Sequence, residues 1–132
     1  MPPLIRSVLA VLGGFATMMI LVGTATAVAV RLMLTTAIPG TMPQPTPAYL
    51  AINLAYSGLF ALIGGYATGF LAGRAPFAHC VALAGLTLLM GVLSMKQYAG
   101  QQPRWYQLVL AVCMPILVAG GGLLCAVLRR GR

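Results

Sequence analysis

The side chains able to ionise, ligate or attack are few. They are one histidine, His79, three cysteines, Cys80, Cys113 and Cys125, five tyrosines and eight basic residues. Asp and Glu are absent. No carboxylate general acid or base is therefore available, and no Asp can orient a histidine. A calcium or magnesium cage built from charged side-chain oxygens is excluded as well. His79 stands beside Arg74, one turn into the third apolar segment. A single imidazole there could give one axial bond to a haem, a pigment or a metal, but cannot supply two. A local hydrogen bond is the plainer role, and no cofactor is expected. The cysteines are odd in number and form no Cys-x-x-Cys, so neither a zinc site nor a redox motif is indicated. All three fall inside apolar runs, where a thiol packs as a small apolar group. The expectation is a protein that binds rather than an enzyme.

Two further patterns carry information. Asn53, Ser57, Ala61, Gly65, Gly69 and Gly73 recur every four residues. That spacing keeps small side chains in one stripe of a helix, where a neighbouring backbone can come close. The stripe reads either as packing within the chain, against helix one or three, or as a seam for a second copy or a partner subunit. Helix one offers a weaker counterpart in Ala10 and Gly14, or in Gly23 and Ala27. Tyr49, Asn53 and Tyr56 share a face near one end of the second apolar run. An amide inside an apolar segment needs a partner, so Asn53 predicts an interhelical hydrogen bond or a polar corner of a lipid or small-molecule site. In the last segment Pro115 precedes Gly120, Gly121 and Gly122. Proline removes a backbone donor, which predicts a static kink or a hinge.

The elements that must position these residues follow from composition. Apolar side chains make up 61% of 132 residues and charged ones only 6%, against roughly 25% in soluble domains. Such a chain cannot build a soluble surface, and it is too apolar for disorder. Four runs, at 7–30, 49–72, 77–95 and 105–128, are each long enough to cross the roughly 30 Å hydrocarbon core as a helix. The fold class is all-α: an integral membrane four-helix bundle forming one domain, with both termini on the same side. The first run contains Ala25-Thr26-Ala27, which resembles a signal-peptide cleavage site, but the apolar stretch continues through Val28, Ala29 and Val30. A retained span is expected.

The connections differ in character. Residues 35–47 hold Pro39, Pro43, Pro45 and Pro47, which favours stiff extended backbone. Gly73-Arg74-Ala75-Pro76 is short and predicts a tight hairpin between helices two and three. Basic residues sit between or beyond the runs, not in one patch, so the +8 charge does not indicate nucleic acid. Arg6, Arg74, Arg129, Arg130 and Arg132 would share one side; Arg31, Lys96 and Arg104 would share the other. The excess places both termini in the cytoplasm, with Arg129, Arg130 and Arg132 against anionic lipid. Tyr49, Tyr98, Trp105 and Tyr106 read as an aromatic belt at the opposite interface.

The stretch PTPAYLAINLAYSGLFALIGGYATGFLAGRAP, from Pro45 to Pro76, resembles a group of small bacterial four-span membrane proteins with no assigned activity. The element Gln102-Pro103-Arg104-Trp105-Tyr106 is similar as well. The resemblance implies a bacterial inner membrane and says nothing of mechanism. On the residues, the expected function is an accessory or structural subunit of a larger membrane complex, respiratory or photosynthetic, acting by helix packing and by binding lipid and partner subunits. A small oligomeric transporter, pore or holin-like protein is the alternative. Proton-coupled export is disfavoured, because the first span lacks an embedded carboxylate.

Overall fold

The computed structural model describes residues 2–34 and 45–131. These form four helices, α1 (Pro3–Met33), α2 (Pro47–Ala72), α3 (Pro76–Gln97) and α4 (Arg104–Arg130), with no strand among the described residues. Prolines open three of them: Pro3, Pro47 and Pro76 stand in the first turns. A fixed φ and a missing N–H suit that position, where the amide would have no partner. The Thr46 hydroxyl adds a cap to α2 by accepting from the Tyr49 amide at 3.2 Å. Pro47 is thus the first helical residue and not the end of the proline-rich connection. Positions 35–44 of that connection lie outside the described residues.

Helices α1, α3 and α4 extend past their apolar runs into flanking charged residues, and α2 ends with its run at Ala72. At 1.5 Å per residue the four measure about 46, 39, 33 and 40 Å, longer than the roughly 30 Å core. All four are long and apolar enough to span a membrane. Helix α1 runs unbroken through Ala25-Thr26-Ala27. Between α2 and α3 the chain reverses through Gly73, at φ 72°, and Ala75, at φ 43°. The left-handed Ala75 precedes Pro76, whose ring disfavours the right-handed helical region for the residue before it.

Helix α2 is the centre of the bundle. Its most apolar window is 44% buried, against 17% for α1 and for α3. It packs on α1 along one face and on α4 along another; α4 in turn carries α3. Gly65 faces the Val118 carbonyl of α4 so closely that a methyl group would overlap it. At Gly69 an added methyl would stand 3.1 Å from Cys125 Cβ. From the other side, Gly121 meets the Leu62 carbonyl, and Gly122 meets the Cys80 side chain. The period-four stripe therefore packs within the chain: α4 makes its closest contacts at Gly65 and Gly69, Pro76 and Cys80 of α3 also meet these glycines, and Arg6 of α1 meets Gly73. Gly121 explains the closeness of α4, since two surfaces without side chains allow the closest approach. Contact with α1 uses a different set: Gly14 lies against Thr68 and Gly64, and a methyl at Gly64 would come 2.9 Å from Met18 Cβ. Ala10 and Gly14 are buried, whereas a methyl at Gly23 would meet nothing within 4 Å.

The N-terminal end of α1 and the C-terminal end of α4 converge on the C-terminal end of α2. Arg6 Nε donates to the Leu71 carbonyl at 3.5 Å. Arg129 donates to the Phe70 and Gly73 carbonyls, both at 2.8 Å. Both termini thus lie at the same end of the bundle.

Candidate functional site

At the opposite end, where α2 and α4 begin, buried polar side chains converge. The Tyr106 hydroxyl of α4 donates to Asn53 Oδ1 on α2. Asn53 Nδ2 donates to the Tyr56 oxygen, which pairs with Thr26 of α1 at 2.9 Å. Ser57 adds a longer bond to Asn53 Oδ1, 3.4 Å. One amide therefore ties three helices together. A lone amide in hydrocarbon would be unsatisfied, and an interhelical bond of this kind contributes about 0.6–2 kcal/mol in a membrane. Among the described residues no buried side-chain nitrogen or oxygen lacks a partner.

The network forms one wall of a cavity of about 390 Å3. Helix α1 contributes Phe15, Met18, Met19, Val22 and Thr26; helix α3 contributes Thr87, Met90, Gly91, Ser94 and Met95, with Tyr98 just past its end. The cavity exists because α1 and α3, both held to the α2–α4 pair, touch each other little. Where they do meet, near the termini, Ser7 and His79 bridge them at 2.9 Å. Toward the far end the two helices leave the gap open. Met19, Met90 and Ser94 on its two flanks are exposed.

No known family, curated protein or solved structure matches the chain. What bears on function is the geometry of the chain itself.

The belt reading of the aromatics needs correction. Trp105 and Tyr98 are exposed, 54% and 41%. Tyr49 and Tyr106 instead point into the bundle, at 6% and 2%. Their rings pack with Leu50, Ala29 and Leu34, and the Tyr106 hydroxyl satisfies Asn53. Gln107, which the sequence did not single out, is also buried and lines the cavity; its Nε2 donates to the Tyr98 carbonyl at 3.1 Å. Five of the eight methionines line the same cavity, a grouping that spans three helices and leaves no local pattern in the sequence.

His79 is engaged at both ring nitrogens, Nδ1 with the Ala75 carbonyl and Nε2 with Ser7 Oγ, each at 2.9 Å. To serve as an axial ligand it would have to release Ser7, since a ligating imidazole keeps only its other nitrogen on a carbonyl. The Cys80 thiol donates to the Gly65 carbonyl at 3.0 Å, and both Cys80 and Cys125 are buried at the α2–α3–α4 junction. Among the described residues no group of His and Cys could hold a metal. Of the arginines assigned to anionic lipid, Arg129 is turned onto the end of α2, with its guanidinium 5.5 Å from the Phe70 ring centroid. Arg130 is exposed in the last turn of α4, and Arg132 lies outside the described residues.

Proposed function

We propose that this chain is an accessory subunit of a bacterial inner-membrane complex, with both termini in the cytoplasm, acting by packing and binding rather than by catalysis. The observation that carries the reading is the division between its inside and its outside. Small residues and buried polar groups are spent on contacts among its own helices. The outward surface is left to large apolar side chains such as Ile20, Leu32, Phe70 and Ile116, all more than 60% exposed. A surface of this kind offers shape to lipid and to other membrane helices and carries no reactive group. The wide exposure of α1 and α3 supports lateral association along those two helices.

The test is gentle detergent extraction of the native membrane, followed by native-mass analysis of the particle that holds this chain. Co-migration with other membrane subunits at fixed stoichiometry is expected. A particle containing only this chain would overturn the subunit reading. In that case vesicle flux measurements on the purified chain would test a small pore or transporter.

A further inference from the structure

We infer that the cavity between α1 and α3 is a binding site for an uncharged amphiphile, whose oxygen-bearing head meets the Asn53–Tyr106 network and whose hydrocarbon tail lies along the methionines. Three observations carry this. First, buried polar groups from α2, α3 and α4 line the space. Asn53, Ser57, Thr87, Tyr106 and Gln107 line the space and are each less than a tenth exposed. Their hydrogen-bonding capacity exceeds what the internal network uses. A hydroxyl that donates one bond keeps two acceptor lone pairs, and a carboxamide has two N–H donors. Tyr106 and Ser57 each donate to Asn53 and retain their lone pairs for a head group.

Second, the lining holds no Lys, Arg or His. A phosphate head would enter without a counter-charge, which a low-dielectric site does not tolerate. The chain's cations lie elsewhere: Arg31, Lys96 and Arg104 are at this end but outside the lining. An uncharged head fits, a hydroxyl by donating to the lone pairs of Tyr106 or Ser57 and a carbonyl by accepting the second N–H of Asn53 or Gln107; an anionic one does not.

Third, the rest of the lining suits a flexible chain. Met18, Met19, Met90, Met95 and Met114 form an adaptable apolar surface. The exposed flank residues Met19, Met90 and Ser94 place the mouth toward the bilayer, so a tail can enter sideways from lipid. At about 390 Å3 the volume falls within the roughly 300–1,000 Å3 of small-molecule sites, enough for a head and the first part of a tail.

The chemistry is shared by two sources, a hydroxyl head such as a diacylglycerol and a carbonyl head such as an alkyl quinone. The test takes the detergent-purified full chain and measures lipid retention by native mass spectrometry. Three probes are added separately: dioleoylglycerol, a decyl-substituted benzoquinone and dioleoyl phosphatidylglycerol. Retention of either uncharged probe is expected, and which one is held identifies the head. Two variants locate it. Ser94→Phe fills the mouth from an exposed position and leaves the Ser94 carbonyl to accept the Tyr98 amide as before. Tyr106→Phe keeps the ring and removes the hydroxyl. Ser94→Phe should weaken retention of either probe about tenfold by blocking the entrance, and Tyr106→Phe should weaken that of dioleoylglycerol about tenfold, because its hydroxyl loses an acceptor. Failure to retain either uncharged probe would overturn the proposal. So would retention unchanged in both variants, or phosphatidylglycerol held as tightly and lost in the same variants. The outcome does not depend on whether the chain is a subunit of a complex.

Discussion

A single methyl group at Gly65 would collide with the Val118 carbonyl, and neither backbone can retreat without moving a helix. Gly65→Ala should therefore destabilise the bundle by about 2–3 kcal/mol, the magnitude of overpacking in a rigid core. Gly23→Ala is the matched control. It lies on α1 with nothing within 4 Å of the added methyl, and should be neutral or stabilising by up to about 1 kcal/mol from helix propensity. Thermal unfolding of the two variants in the same detergent separates them. Equal midpoints would mean that the α2–α4 contact is not as close as the geometry has it. At this scale the sequence was partly legible. The four-residue spacing exposed the stripe, because small residues on one helix face have few other uses in a membrane. It could not name the partner helix, which depends on Gly121 and the Val118 backbone, far along the chain. Tyr106 and Gln107 were harder still. An amphipathic side chain at a span's end looks the same in sequence whether it faces headgroups or turns inward to an amide.

Among the elements, α2 carries an unusual burden at its C-terminal end. The last carbonyls of a helix have no partner within it, and α2 has no basic residue in its last turn. Arg129 of α4 reaches across to two of these carbonyls, and Arg6 of α1 reaches a third. Each cation also faces the negative end of the helix dipole, so hydrogen bonding and electrostatics act together. Arg129→Ala should lower stability by about 1–2 kcal/mol, and Arg130→Ala should leave it within about 0.5 kcal/mol, the range of ordinary surface substitutions. Urea or thermal unfolding of both variants checks this. A larger loss at Arg130 would show that the C-terminal charges act through lipid rather than through α2. The four helices themselves were readable from hydropathy, because a long apolar run without two-residue alternation can satisfy its backbone in hydrocarbon only as a helix. This cross-helix cap was not, since an arginine after an apolar run signals a membrane boundary equally well.

For the whole molecule, the remaining question is which end faces the cytoplasm. The end with the termini carries Arg6, Arg74, Arg129 and Arg130, with Arg132 following; the other carries Arg31, Lys96 and Arg104. Turning Arg6 and Arg129 onto α2 does not alter the expected topology. Orientation is set as the spans insert, before the helices pack, so charge counts in the unfolded segments decide it. With no Asp or Glu on either side, no acidic residue offsets the difference. A reporter fused after Arg132 should therefore read as cytoplasmic. One inserted at Gly100, an exposed residue at φ 81° in the α3–α4 turn, should read as periplasmic without disturbing either helix. The reverse pair of readings would invert the bundle and place the Asn53–Tyr106 cavity in the cytoplasmic leaflet. Mixed readings from a single fusion would mean dual insertion, which an excess this modest permits. Replacing Arg31 and Lys96 with Gln should then drive the population to a single orientation, by removing the cations that compete with the terminal cluster.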